Sequence, residues 1–513
     1  MNVDPALAQF IDNPDTMDFV IRQSEYLLSY FKNNPDVVLT QTLGDMYTVG
    51  YINRNKVDAI FDYLGESFLN VESYVCGLLE TESLEASGIY QVQQQPYLNL
   101  KGRGVLIGFV DTGIDYTKDV FRYEDGTSKI QYIFDQTVRG NTPEGFFFGT
   151  EYSNAQINEA LKAQNPYDLV SQRDNSGHGT FLASIAAGRE EKNGFVGAAP
   201  DSELIVVKLR KASPYYLERF LVPPEQENAF ETIDIMIGIE YILKKARELN
   251  RPLVVCIALG TTFGGHDGTS IFEQYLTDVS NLRGVCVCTA SGNESQARHH
   301  FQGLLRSKNE EQNIDIRVSG NAASFPVAIR NSAADRISVS VRSPTGELVG
   351  RVPARSGTSF ETRLVLEKAS IIIQYYFPVE TSGDQVTLVF FLNATPGIWT
   401  IIVHGDIVLE GTYHAWLPLT GLVSPNVGFL TPSSYTTTVV PSTAFGLITC
   451  GAYNTNTDSL YINSSWGPTR AMVLKPDLVA PGVNVEGFYP SGYGTMSGTS
   501  VSAAITAGAS ALL

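Results

Sequence analysis

Hydrophobic and polar positions along the chain change texture three times. In residues 1–90, apolar side chains recur at helical spacing over 16–32, with Met17, Val20, Ile21, Tyr26, Leu27, Leu28 and Phe31 mostly on one face. Strand patterns follow at 36–40 and 46–52, a helix pattern at 56–64 and a strand pattern at 70–79. Two helices against a few strands predict a small open-faced α/β sandwich. From about 102, short continuous apolar runs at 105–110, 203–209, 252–259 and 284–289 alternate with helix patterns at 179–188 and 233–250. Such runs predict parallel strands buried on both faces. Between 301 and 440 the helical spacing vanishes. Strands are predicted at 336–342, 370–377, 385–392, 398–403 and 406–413, separated by Pro and Gly turns, as in a β-sandwich or jelly roll. After 441 the α/β texture returns, with a strand at 447–452 and a closing helix at 499–513. The predicted division is 1–90, 91–300, 301–440 and 441–513: one α/β domain split by a β-insertion and preceded by a small α/β unit.

Composition narrows the classes. The chain has 513 residues, 43% hydrophobic and 18% charged, which excludes wholesale disorder. Its net charge of −18 argues against a nucleic-acid grip, which needs clustered Lys and Arg. No stretch approaches the ~20 apolar residues of a membrane span, so no membrane partner is expected. Met1-Asn2-Val3-Asp4-Pro5 lacks a basic n-region, so no signal peptide is expected and the predicted location is cytoplasmic. The five cysteines are odd in number and scattered among apolar residues, which fits buried, reduced thiols. Cys286 and Cys288 share one strand face, but no further Cys or His nearby in sequence completes a metal site.

Three sequence points carry chemistry. Asp111, in Val110-Asp111-Thr112-Gly113-Ile114-Asp115, ends an apolar strand, where open parallel sheets place their functional groups. An Asp there can also simply cap the following turn. His178, in Asn175-Ser176-Gly177-His178-Gly179-Thr180, sits between two glycines at the start of a helix. His266, His299, His300, His404 and His414 lack such a frame. Ser500, in Gly498-Thr499-Ser500-Val501-Ser502-Ala503, opens the last helix, where backbone N–H groups and the helix dipole favour a developing anion. A serine at that place can also serve only as an N-cap. Taken together, a weak nucleophile, a base and a carboxylate to orient the base, in the order Asp…His…Ser, make a specific signal.

In these motifs the chain resembles the subtilisin-like serine proteases. The resemblance covers about 90–300 and 441–513, and includes Ala290-Ser291-Gly292-Asn293-Glu294, Ser464-Ser465-Trp466-Gly467-Pro468 and the run from Lys475 to Gly482. It implies a subtilisin-like parallel sheet flanked by helices, and a serine endopeptidase with Ser500 as nucleophile, His178 as base and Asp111 as its orienter. Asn293 would complete the oxyanion hole, Ala258, Leu259 and Gly260 would line the cleft, and Ala290, Ser291 and Gly292 the primary specificity pocket. The N-terminal unit resembles a propeptide that folds the protease and then blocks it, with processing somewhere in 66–100; the Gln-rich segment 91–96 reads as exposed, but Pro96 would hinder cleavage directly before it. The long insertion resembles that of the clostridial Csp proteases, which activate the precursor of a spore cortex-lytic hydrolase. This makes a spore-associated location the alternative to a plain cytoplasmic one. Expected partners are a protein or peptide substrate and the chain's own propeptide.

Some features depart from the family pattern. Val501 and Ser502 follow the nucleophile where Met and Ala are usual, and Ala504-Ile505 lacks the usual proline. The chain stops within the helix that bears Ser500, so a truncated C-terminus is expected, with apolar surface uncovered around 511–513. No cofactor is expected. Calcium is possible but unassigned, because Asp115, Asp119 and Asp125 do not have EF-hand spacing. Two other readings stand beside the protease: a catalytically silent regulatory subunit, and a binding module in the β-insertion. For the second, Tyr375, Tyr376, Phe377, Phe390, Phe391, Trp399 and Trp416 read as core rather than as a binding platform.

Overall fold

The computed structural model describes residues 4–79, 100–192, 194–379 and 381–513. Its centre is a nine-stranded sheet built around Leu106–Asp111. The order runs Ser459–Leu460, Ile448–Asn454, Val285–Ala290, Leu253–Ile257, Leu106–Asp111, Glu203–Lys208, Ile130–Asp135, Thr150–Ser153, with Leu478–Pro481 also paired to Ile448–Asn454. The six strands from Ile448–Asn454 to Ile130–Asp135 are mutually parallel. The outermost pairings on this path are antiparallel.

Both faces of this sheet are buried, which is why its strands read as unbroken apolar runs. Leu106 and Val110 enter one core with Ile235, Ile239 and Ile242 of helix Thr232–Leu249. Ile107 and Phe109 enter the other, with Phe181 of helix His178–Ala187 and Val501 of helix Thr499–Ser510. A Cβ on Gly108 would meet Ile242 Cγ2 at 2.5 Å, so the first helix lies almost on the strand. Side chains alternate along a strand, so Asp111 shares the face of Ile107 and Phe109. Its carboxylate therefore emerges at the C-terminal edge, on the side of the two helices that carry His178 and Ser500.

Helix Thr499–Ser510 is buried on all sides through Gly508, which its small residues permit. A Cβ on Gly508 would lie 2.5 Å from Ala198 Cβ and 2.8 Å from the Ala186 carbonyl oxygen. Beyond the helix, Ala511 and Leu512 are buried and Leu513 is exposed. The expectation of uncovered apolar surface at 511–513 is therefore corrected for the first two: they pack into the core beneath the sheet.

The N-terminal segment departs from its predicted helix. Residues 16–32 form strand Thr16–Arg22 and then helix Glu25–Asn33. The strand pairs antiparallel with Tyr47–Asn53, which pairs with Val37–Leu43. Met17, Phe19 and Ile21 face the helices Glu25–Asn33 and Val57–Leu64, while Val20 faces the core on helix Thr232–Leu249. Because the second face is covered by another part of the chain, the strand loses its polar alternation and imitates a helical spacing. The strand expected over 70–79 shrinks to Val75–Leu78, preceded by a helical turn Phe68–Val71. The segment 91–96 and most of the expected processing region lie outside the described residues.

Residues 300–429 contribute two antiparallel sheets around one apolar core. One has the order His300–Leu304, Thr412–Trp416, Ala323–Asn331, Gln385–Ala394, Ser370–Tyr376, Thr358–Arg363. The other runs Leu348–Val352, Arg336–Arg342, Gly397–Ile407, Glu311–Val318, Val427–Phe429. The predicted strands 398–403 and 406–413 resolve differently, as one long strand Gly397–Ile407 and then Thr412–Trp416. Asp406 is the unpaired extra residue of a β-bulge in that long strand, and Ser338 and Arg351 hydrogen-bond its carboxylate. Trp399, Phe391, Phe390, Tyr375, Tyr376 and Trp416 are all buried, and Phe377 is half-buried. Phe390 and Tyr376 face outward from this core and join the core of the α/β body, so the β-rich segment is packed onto that body.

Three histidines cluster at this junction. His266, His300 and His414 stack with Trp416, and His300 Nε2 lies 3.0 Å from His414 Nδ1. That contact needs one donor and one acceptor, so both rings cannot be charged. Burial, ahead of the neighbouring charges, pushes the His414 imidazole down to about 3. The unfolded chain, with an ordinary imidazole near 6.5, then binds protons first as pH falls. Stability from this site is complete above about pH 6.5 and declines below it. His266 and His300 are also held below the ordinary imidazole range by burial, so His414 is expected to contribute about 2 kcal/mol of a larger loss between pH 7.5 and pH 5 in urea unfolding, and His414→Gln to reduce that loss by this share. An unchanged slope in the variant would place the acid sensitivity elsewhere.

Candidate active site

Asp111 and His178 meet in the interior. His178 Nδ1 lies 2.7 Å and 2.9 Å from the two Asp111 carboxylate oxygens, with His178 0% and Asp111 1% exposed. The Thr112 amide donates to Asp111 Oδ1 at 2.7 Å. A buried carboxylate facing Nδ1 selects the tautomer with its proton there, leaving Nε2 as a base. Asp174, which the motif reading missed, braces the start of the His178 helix. Its carboxylate accepts from the Gly177 and Thr180 amides at 2.7 and 2.9 Å and from the Thr112 and Thr180 hydroxyls at 2.8 and 2.6 Å. Gly177, at φ +87°, cannot cap with a side chain, so Asp174 supplies the acceptor. Gly179 is required for a different reason: an added Cβ would strike the Gly113 carbonyl oxygen and sit 3.1 Å from Asp111 Oδ1.

Ser500 is the second residue of its helix and is fully buried. Gly498 precedes it at φ +141°, in the region that favours glycine. The helices bearing His178 and Ser500 pack against each other and against the same face of the sheet. Asn293 follows strand Val285–Ala290 at the C-terminal edge. Its side-chain oxygen accepts from the Thr499 amide and hydroxyl, each at 3.2 Å, and the Gly292 amide donates to the Thr499 hydroxyl at 3.1 Å. These bonds tie the Asn293 loop to the Ser500 turn and leave the Asn293 NH2 group as a donor.

A segment of the chain lies along this edge. Val75–Leu78 is the middle strand of a three-stranded sheet, antiparallel to Leu259–Gly260 on one side and to Ala229–Glu231 on the other. The Ser500 amide donates to the Leu79 carbonyl oxygen at 3.2 Å. Ala258, Leu259 and Gly260 are buried beside this strand, and Ala290, Ser291 and Gly292 are buried next to Asn293. Val439 bridges the two groups, its amide donating to the Ser291 carbonyl oxygen at 3.0 Å. Neither Leu79 nor Val439 belongs to a recognisable motif, so only the fold brings them forward.

Among the described residues, one group of carboxylates is spaced to hold a cation: Asp18, Glu231 and Asp234, with oxygens within 4.8 Å of one another. Arg210 already supplies positive charge there, its Nε 2.8 Å from Asp234 Oδ2 and its Nη2 3.6 Å from Asp18 Oδ2. Burial first, and then Glu231, raises the Asp18 carboxyl well above its ordinary range. The Arg210 guanidinium thus already balances part of the charge of this cluster. Asp115, Asp119 and Asp125 do not converge: they bond Thr117, Arg122 and Thr127 respectively.

Known proteins share this fold. A family model described as the subtilase family, peptidase S8, matches residues 102–347 and 426–513, breaking within the β-rich segment. The solved structure of the CspB protease of Clostridium perfringens is similar at 32% identity, covering 83% of this chain and 86% of that one, with a TM-score of 0.72. The subtilisin-like protease SBT3.8 of Arabidopsis thaliana is 24% identical over 220 residues. That alignment takes in 38% of this chain and spans 26% of the length of the plant relative. The chain belongs to the subtilase family of serine proteases.

Proposed function

We propose that this chain is a serine endopeptidase that hydrolyses peptide bonds through an acyl-enzyme. Ser500 Oγ attacks the scissile carbonyl carbon. His178 Nε2 takes the hydroxyl proton and returns it to the leaving amine, and Asp111 stabilises the imidazolium that forms between these steps. The Ser500 amide and the Asn293 NH2 group receive the charge that develops on the carbonyl oxygen. The observation that carries this reading is the Asp111–His178 pair, buried and bonded through Nδ1 beside the helix that opens with Ser500.

The segment 1–90 is read as a propeptide that the enzyme cuts from itself and then retains in the cleft, supported by the placement of Val75–Leu78 between two strands of the body. The segment 301–440 is read as an inserted jelly roll that stiffens the protease, supported by the buried aromatics and by the packing of Phe390 against the body. Activation of a spore cortex-lytic precursor is the finer reading, and the likeness to a clostridial CspB protease supports it. Among the described residues no helix is long and apolar enough to cross a membrane.

Hydrolysis of fluorogenic peptides by the chain and by Asn293→Ala tests the reading. Loss of one oxyanion donor is expected to lower kcat by about 10²–10³-fold with KM little changed. Equal kcat in the two proteins would remove Asn293 from the machinery.

A further inference from the structure

Self-processing, as proposed above, requires one particular bond to lie at the nucleophile. We infer that this bond joins Leu79 to Glu80, and that Val439 sizes the adjoining pocket for a leucine-like aliphatic side chain. The inference rests on the self-processing reading and deepens it.

Backbone register fixes the bond. Gly77 pairs with Gly260 and with Ala229, and Leu78 pairs with Leu259, so the strand is held from both sides through Gly77 and from one side through Leu78, the residue before Leu79. The next carbonyl is that of Leu79, and its oxygen accepts from the Ser500 amide at 3.2 Å. A carbonyl bound by the amide of the nucleophile's own residue presents its carbon to that residue's side chain, as an oxyanion hole requires. In the reaction the Ser500 Oγ–carbon bond forms while His178 takes the Ser500 proton. The carbon–nitrogen bond to Glu80 then breaks, and its nitrogen leaves with that proton as an amine. Water adds to the resulting ester, restores the Ser500 hydroxyl and leaves Leu79 with a carboxylate.

The pocket follows from the same register. Leu79 is 2% exposed and lies in one apolar cluster with Ala258, Ala290 and Val439. Gly260 and Gly292 stand on the two walls, and Val439 reaches both. An added Cβ would meet Val439 Cγ2 at 2.5 Å from Gly260, and Val439 Cγ1 at 2.6 Å from Gly292. The backbone here is stitched to each wall, Val439 to Ser291 and Val440 to Thr261. Val439 is therefore a fixed floor between the walls, and its two methyl groups limit the depth. An aliphatic chain of leucine size fits over it, whereas a ring of phenylalanine size must displace it. Two residues upstream, a Cβ on Gly77 would meet Leu419 Cδ2 at 3.1 Å, so the strand is also roofed closely at that place.

Intact-mass analysis of the purified full chain under denaturing conditions tests the bond. Two fragments are expected, the first ending at Leu79 and the second beginning at Glu80, with neither formed by Ser500→Ala. A Ser500-dependent cut at another bond would overturn this inference and leave self-processing standing. An uncut chain whose Ser500 still reacts with a fluorophosphonate would overturn both the bond and self-processing, but not the hydrolase reading. A cut after Leu79 in Ser500→Ala would overturn all three.

The pocket is tested on the processed enzyme with acetyl-Val-Gly-Leu-Leu and acetyl-Val-Gly-Leu-Phe aminomethylcoumarin peptides. The leucine peptide is expected to have a kcat/KM 10–200-fold higher, the range that a small misfit in an apolar pocket produces. Val439→Ala is expected to narrow that ratio by raising the rate on the phenylalanine peptide. Equal rates on the two peptides with Val439 in place would overturn the assignment of the floor. Should the variant fail to fold, the ratio measured on the unsubstituted enzyme decides by itself.

Discussion

Replacing Ser500 with alanine is expected to lower kcat on peptide substrates about a million-fold, to the level that binding and the oxyanion donors sustain alone. The fold should survive the change. Ser500 Oγ is buried and has no hydrogen-bond partner among the described residues, so its removal breaks no bond there. Alanine also suits a helix already built from Ala503, Ala504 and Ala507. Steady-state kinetics and thermal unfolding, measured together, separate the two effects. A large fall in kcat with an unchanged melting temperature is the expected pair. A variant that retains a tenth of the activity would mean that another residue is the nucleophile.

Asp111→Asn is expected to lower kcat about ten-thousand-fold. Both Asp111 oxygens lie within 2.9 Å of His178 Nδ1, and both residues are buried. An asparagine amide turned toward Nδ1 would donate to it and so select the wrong tautomer, with the proton on Nε2. An asparagine turned the other way would still accept the Nδ1 proton but carry no charge to balance the imidazolium. The Thr112 amide, which donates to Asp111 Oδ1 at 2.7 Å, adds a constraint on which way it turns. KM should change little, because Asp111 lies behind His178 and away from the cleft. A loss confined to KM would contradict the role assigned to this residue.

The motifs around Asp111, His178 and Ser500 stand out in the sequence because each joins a chemical side chain to a backbone demand. Gly179 cannot carry a Cβ beside the Gly113 carbonyl oxygen, and Gly498 holds φ +141° before the serine helix. Such glycines leave a trace in the sequence. Asp174 left none, because its role depends on four hydrogen bonds from residues 112, 177 and 180 that only the fold gathers. Val439 was equally silent, since a valine after the run Thr436-Thr437-Thr438 carries no sign that it lies between Gly260 and Gly292.

The parallel strands were legible as apolar runs, and the same rule misled at the N-terminus. Thr16–Arg22 is covered on one face by its own helices and on the other by the body, so its pattern imitates a helix. In the β-rich segment, Ala323–Asn331 was hidden by Pro326, which lies within it, and Glu311–Val318 by its polar outer face. In each case the missing information is which other segment covers the strand. That is a property of the tertiary structure and not of the local pattern.

The central claim is that Ser500 is a nucleophile activated by His178. It is tested most directly by reacting the chain, His178→Ala and Ser500→Ala with a fluorophosphonate and mapping the adduct by peptide mass spectrometry. The account predicts one adduct, on Ser500, formed in the unsubstituted chain, strongly slowed in His178→Ala and absent in Ser500→Ala. An adduct on any other residue, or labelling of Ser500 at the same rate without His178, would contradict it.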